Sequence, residues 1–265
     1  MIYREQIKIP HIRFINDDYR NNMNDVREIE NVVVVTDPPF NIGYHYDTYS
    51  DKMPEADYLK MLSQIASTFP SVFIHYPEQL HKLSIELRVV PEKIVSWVYN
   101  SNTAKQHRDI AWYGIKPNFK NAWQPYKNPN DKRIKQRIAD GSKGGRMYDW
   151  WNVNQVKNVS KCKTGHPCQM PLEVMKNIIS TLPEDVVVFD PFMGSGTTAL
   201  ACIEIGYDFI GCEIDEKYYD MAKDRVNSAR GALFCICYRL IFCLKNPTTL
   251  VVGVCQLCGD NRNFG

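Results

Sequence analysis

Short runs dense in β-branched and aromatic residues alternate along this chain with segments whose apolar positions recur every three or four residues. Residues 32–35, 72–76, 94–99, 186–189 and 209–214 read as strands, and residues 12–15 and 109–115 as weaker ones. Between them Tyr58, Leu59, Leu62, Ile65, Ala66 and Phe69 share one helical face, as do Leu172, Met175, Ile178, Ile179 and Leu182. Pro171 stands just before the second helix, where a missing N–H is tolerated. Strands separated by helices predict an α/β sheet.

Two stretches break the pattern. Residues 116–165 are polar and punctuated by Pro117, Pro125, Pro129, Gly141, Gly144 and Gly145, and read as an insertion between two halves of the sheet, residues 1–115 and 166–230. Residues 231–265 shift again, holding five of the nine cysteines. Cys235 with Cys237 and Cys255 with Cys258 form CxC and CxxC pairs, a donor set of the zinc type, but the 17-residue separation is not a strong zinc signature. No metal is expected.

Composition narrows the class. A chain of 265 residues with 44% hydrophobic and 23% charged residues has enough material for a proper core, which excludes disorder and coiled coil. No apolar stretch reaches the roughly 18 to 20 residues of a membrane span, and the start has no secretory h-region, so no membrane partner and a cytoplasmic location are expected. The net charge of +2 hides a strong asymmetry: residues 105–163 carry 14 Lys/Arg against 4 Asp/Glu, and the rest 18 against 26. Aromatic residues interleave the basic block, among them Trp112, Trp123, Tyr148, Trp150 and Trp151. Charge for phosphates with aromatics for bases suits a nucleic-acid surface; a solvated face plus core aromatics accounts for this feature equally well.

The chemistry concentrates at two strand ends. In VVVFDPFMGSGTTALA, residues 186–201, a strand ends at Asp190, a turn passes through Gly194 and Gly196, and a helix begins near Thr197. Small residues let backbone approach a ligand, and helix N–H groups point at it. Glu213, 17 residues beyond Gly196, ends the next strand and can accept hydrogen bonds from ribose hydroxyls. Gly194, Gly196 and Ala199 also satisfy a dinucleotide fingerprint, which raises a dehydrogenase as an alternative. Against it, Asp190 before the loop would repel a pyrophosphate but suit a cationic ligand. In VVVVTDPPFNIGY, residues 32–44, Asp37 is followed by Pro38 and Pro39, which lack N–H donors, and by Phe40. That edge offers only acceptors beside an aromatic face, which fits an exocyclic amine on a flat ring.

Taken together, DPPF followed much later by DPFMGSGTT resembles the amino-group DNA methyltransferases of the permuted β class. The resemblance covers about residues 9–227. It implies a mixed seven-stranded S-adenosylmethionine-dependent methyltransferase fold of Rossmann-like type with a basic target-recognition insertion. It implies catalysis by Asp37, Pro38, Pro39 and Phe40 on a base flipped out of double-stranded DNA, and S-adenosylmethionine held by Asp18, His166, Pro167, Asp190, Phe192, Gly194, Ser195, Gly196, Thr197 and Glu213. DNA contacts are expected from Lys116, Lys120, Lys127, Lys132, Arg133 and Lys135. DPPF leans toward adenine N6, with cytosine N4 as the close alternative and a catalytically silent DNA-binding module as one from another class. A cognate restriction endonuclease is a further partner that such an enzyme can have. One departure is Met170, where many members carry Lys. Two strings from cytosine-C5 enzymes, PCQ at 167–169 and ENV at 30–32, run in the wrong order and are read as coincidence.

Overall fold

A computed structural model describes residues 9–43, 51–156, 160 and 163–245, with the backbone alone for residues 232–245. In chain order it contains β1 (Ile12–Ile15), α1 (Tyr19–Arg27), β2 (Val32–Thr36), α2 (Glu55–Thr68), β3 (Ser71–His75), α3 (Pro77–Leu87), β4 (Lys93–Val98) and β5 (His107–Tyr113). There follow β6 (Trp123–Gln124), α4 (Lys132–Ala139), β7 (Gly145–Arg146), β8 (Trp150–Asn152), α5 (Leu172–Ile179), β9 (Val187–Asp190), α6 (Thr197–Ile205), β10 (Asp208–Cys212) and α7 (Glu216–Lys245). The main sheet runs β1-β10-β9-β2-β3-β5-β4-β8. Its first five strands are parallel, β5 is antiparallel to both β3 and β4, and β8 lies parallel to β4.

The seven strands anticipated from the hydrophobic runs are all in this mixed sheet, each displaced by no more than a few residues. The eighth, β8, comes from the basic stretch. Its Trp151 is buried against Trp112, with ring centroids 6.4 Å apart, while Trp150 and Tyr148 stay exposed. The aromatics of the basic block are thus divided between core and surface.

Successive residues of β2 explain the layering. Val33 and Val35 point into a cluster with Val174, Met175 and Ile178 of α5 and Ala199 and Ala201 of α6. Val32 and Val34 point the other way, onto Tyr19 of α1, Tyr58, Leu62 and Ile65 of α2, and Leu80 and Leu83 of α3. A strand covered on both faces must be apolar at every position, hence VVVV rather than an alternating pattern. Neighbours β2 and β9 continue in opposite directions across the sheet, β2 to β3 and β9 to β10. The connections leaving their carboxyl ends therefore diverge and open a crevice, the usual ligand position in such sheets.

Within residues 116–165, β6 and β7 form a separate two-stranded sheet and α4 is capped by Asp131, whose carboxylate accepts from the backbone N–H groups of Arg133 and Ile134. No described helix is long and apolar enough to cross a membrane. Cys255 and Cys258, and the side chains of Cys235 and Cys237, lie outside the described residues, and with them the zinc question.

Candidate active site

The crevice at the ends of β2 and β9 is a cleft of about 370 Å³. It is lined by both strand-end motifs: Asp37, Pro38, Pro39 and Phe40 from one, and Asp190, Phe192, Gly194, Ser195 and Thr197 from the other. Asp18, His166 and Glu213 also line it, with Arg108 and Cys168 among others. Of the residues expected to hold the cofactor, Pro167 and Gly196 do not line it. Gly196 instead caps α6 with φ +72°, and a Cβ there would meet that of Ala222 at 2.9 Å.

Asp190 is the buried centre of the glycine turn. Its Oδ1 accepts from Thr36 Oγ1 at 2.8 Å and from the Phe192 N–H at 3.1 Å, and its Oδ2 from Thr198 Oγ1 at 2.6 Å. Burial pushes its pKa up to about 6, against these three donors. The carboxylate therefore stitches β2, the turn and α6 together, with its donors supplied by the protein itself. Gly194, at φ +51°, donates its N–H to Glu213 Oε2 at 2.8 Å, and the Asp215 N–H donates to Oε1 at 2.9 Å. Both Glu213 oxygens are thus aimed by backbone, and each keeps a lone pair for a further donor. Burial raises the Glu213 pKa, partly offset by those two N–H groups.

His166 packs edge-on to Tyr218 with centroids 4.5 Å apart, and burial holds its pKa down at about 4, so the ring is neutral. A Cβ on Gly194 would sit 3.0 Å from its Nε2. Asp18 caps α1 and pairs with Arg20, which holds its carboxyl below the usual range. Phe192 meets Tyr19 edge to face at 5.0 Å.

On the other side, three residues that belong to no motif support the DPPF edge. His75, fully buried at the end of β3, accepts the Tyr76 N–H at Nδ1, 2.7 Å away. Burial lowers its pKa to about 3, so the proton sits on Nε2, which donates to Tyr58 Oη at 2.7 Å. Tyr58 in turn donates to the Pro39 carbonyl at 2.6 Å. This relay fixes the dipeptide of prolines. The third residue is Arg108 of β5, whose Nη1 lies 3.6 Å from Asp37 Oδ1. Asp37 is 15% exposed in its side chain, and burial pushes its pKa up to about 7, with Arg108 opposing and Asp190 adding to the rise.

The residues present fit S-adenosylmethionine: a paired acceptor at Glu213 for ribose hydroxyls, a turn without side chains at Gly194, and an aromatic, carboxylate-bearing surround for a sulfonium. Cys168 is exposed on the cleft wall. The six lysines and arginines expected to meet DNA are all solvent-exposed and lie outside the cleft, Lys132, Arg133 and Lys135 on α4.

The family model for N6/N4 DNA methylases matches residues 32–224, from the strand before DPPF to the helix after Glu213. The chain belongs to this DNA methylase family. Its relatives include the type II methyltransferase M.BglII of Bacillus subtilis, 26% identical over 247 residues, covering 79% of this chain and 67% of the relative. The DNA adenine methyltransferase YhdJ of Escherichia coli K12 is 26% identical over 231 residues, covering 74% of this chain and 76% of the relative. Among solved structures, the complex of M1.HpyAVI with S-adenosylmethionine superimposes with a TM-score of 0.54 at 24% identity, over 81% of this chain and 99% of that one, a likeness of fold. The methyl donor of this family is S-adenosylmethionine.

Proposed function

We propose that this methylase transfers a methyl group to N6 of adenine in double-stranded DNA. The observation that carries the reading is the position of Asp37, whose buried Oδ1 has no hydrogen-bond partner among the described residues, in the same cleft as the glycine turn and Glu213. Adenine is favoured over cytosine by the Asp of DPPF, and the similarity to YhdJ points the same way.

S-adenosylmethionine, when bound, supplies an electrophilic methyl group. The protein's part is to present the amine. Asp37 and the Pro38 carbonyl accept its two N–H bonds, Phe40 supports the flipped ring, and the nitrogen lone pair is turned toward the methyl carbon. As the N–C bond forms, positive charge grows on nitrogen and the Asp37 carboxylate stabilises it, an interaction stronger in the transition state than before it. A carboxylate with a pKa near 7 is also basic enough to take the surplus proton from the methylated amine. Glu213 and the turn hold the cofactor, and the exposed basic residues, with α4 at their centre, engage phosphates. Neither a metal nor a thiolate is required.

The test is to incubate duplex DNA from a methylation-deficient host with labelled S-adenosylmethionine and separate the nucleosides. Label in N6-methyladenine is expected. N4-methylcytosine would move the enzyme to the other branch of its class, and 5-methylcytosine would make Cys168 a nucleophile and contradict the mechanism.

A further inference from the structure

One buried charge beside the catalytic edge has no part in the chemistry above. Arg108 stands 71 positions from Asp37 in the sequence, on β5, yet its guanidinium carbon lies 4.3 Å over the Phe40 ring, with the rings of Trp97 and Tyr76 at 5.5 and 5.8 Å. Only 13% of its side chain is exposed. The 3.6 Å separation from Asp37 Oδ1 is an ion pair but too long for a good hydrogen bond. Among the described residues, Asp37 Oδ1 and Arg108 Nε are both buried without a hydrogen-bond partner. The two side chains thus interact through charge and leave the Asp37 acceptor uncommitted. An arginine stays protonated at any working pH, and in an aromatic surround its field is poorly screened.

We propose that Arg108 is a positioning residue for the methyl transfer, its guanidinium holding the Asp37 carboxylate ionised and directed at the incoming amine. The inference rests on the role given to Asp37 above. Of the charges acting on that carboxylate, Arg108 favours ionisation and Asp190, from β9, opposes it. The other titratable neighbours are His75, which is neutral, Tyr76 with Lys105 Nζ 3.9 Å over its ring, Tyr99, Cys168, and Glu213 across the cleft. Met170, before α5, supports the assignment. Its sulfur lies 3.7 Å from Arg108 Nη1, and a lysine there would set two cations side by side. A neutral thioether at position 170 therefore leaves the Arg108 charge without a like charge on that side, and Met170→Lys would offer a second place from which to mount a cation.

The experiment compares parent, Arg108→Met, Arg108→Lys and the double variant Arg108→Met/Met170→Lys, reading kcat and KM against pH, S-adenosylmethionine affinity, and the Asp37 titration by carboxyl-selective NMR. A neighbouring cation lowers a carboxylate pKa by about 1–3 units, so Arg108→Met should lose ~10- to 100-fold in kcat at pH 7 and recover most of it by pH 9. KM and cofactor affinity should stay within a few fold, Arg108→Lys should keep the parental profile, and the double variant should regain at least ~5-fold at pH 7. A loss that is independent of pH, carried by KM, shared equally by Arg108→Lys, or accompanied by an unshifted Asp37 titration would overturn the proposal. A parent protein that transfers no methyl group would instead contradict the proposed function, while the titration still reads the coupling of Arg108 to Asp37.

Discussion

At the scale of single residues, the site is built from groups whose ionisation the fold has displaced. In the proposed transfer Asp37 accepts the amine as a carboxylate, so kcat is expected to fall tenfold per pH unit as pH drops below about 7, the value to which burial raises its pKa. A pH–rate profile checks this, and a limb near 4 would contradict it. The same displacement sets a stability cost with a definite sign. A folded pKa above the unfolded one means the folded chain binds the proton more tightly, so stability declines as pH rises through the window from the ordinary value toward 7. Asp37→Asn removes that titration. The variant should gain on the parent in denaturant melts between pH 5 and pH 8, by on the order of 1–2 kcal/mol, while losing activity. Glu213→Ala, by contrast, removes a paired acceptor and should weaken S-adenosylmethionine binding by ~10-fold or more in calorimetry, a loss on the order of 1.5–3 kcal/mol for a charged hydrogen bond.

At the scale of elements, the relay from His75 through Tyr58 to the Pro39 carbonyl ties α2 and β3 to the catalytic edge. Tyr58→Phe leaves the His75 Nε2 proton and the Pro39 carbonyl without partners in a dry interior, and should cost about 1–3 kcal/mol of stability by chemical denaturation. A change under a few tenths would mean water replaces the hydroxyl. This relay also shows where sequence reading stops. The strands were legible because doubly covered strands are continuous apolar runs, and the two strand-end motifs because their special residues are contiguous. Tyr58 was legible only as one more apolar position on the α2 stripe, since its hydroxyl has no signature. Arg108 sat unnoticed in a basic block, although its charge is buried while that of Lys132 is exposed, because burial on β5 follows from pairing with β3 and β4. Helices α1, α3 and α4 carry stripes of only two or three apolar residues, Tyr19, Met23 and Val26 in α1 and Ile134 and Ile138 in α4, set among polar neighbours, and β8 is too short to show a period, with Trp151 inward and Trp150 outward in a run that reads simply as aromatic.

At the scale of the whole molecule, charge and chemistry are separated. The acidic, glycine-bearing crevice belongs to the sheet, and the exposed basic side chains cluster in the stretch carrying α4. If these meet DNA phosphates, replacing Lys132, Arg133 and Lys135 together with Gln should weaken binding to any duplex and flatten the dependence of log affinity on log salt, leaving cofactor affinity unchanged. An unaltered slope would mark them as a solvated face. The proposed function divides the work of one cleft between the two halves of the sheet, with β9 and β10 holding the donor and the end of β2 performing the transfer. Asp37→Ala tests it most directly, with turnover on duplex DNA and S-adenosylmethionine affinity measured on the same preparation. Turnover is expected to fall by ~100-fold or more, comparable to losing a preorganised electrostatic group, with affinity within a few fold of the parent. Full turnover in Asp37→Ala, or a loss appearing wholly as weaker cofactor binding, would contradict it.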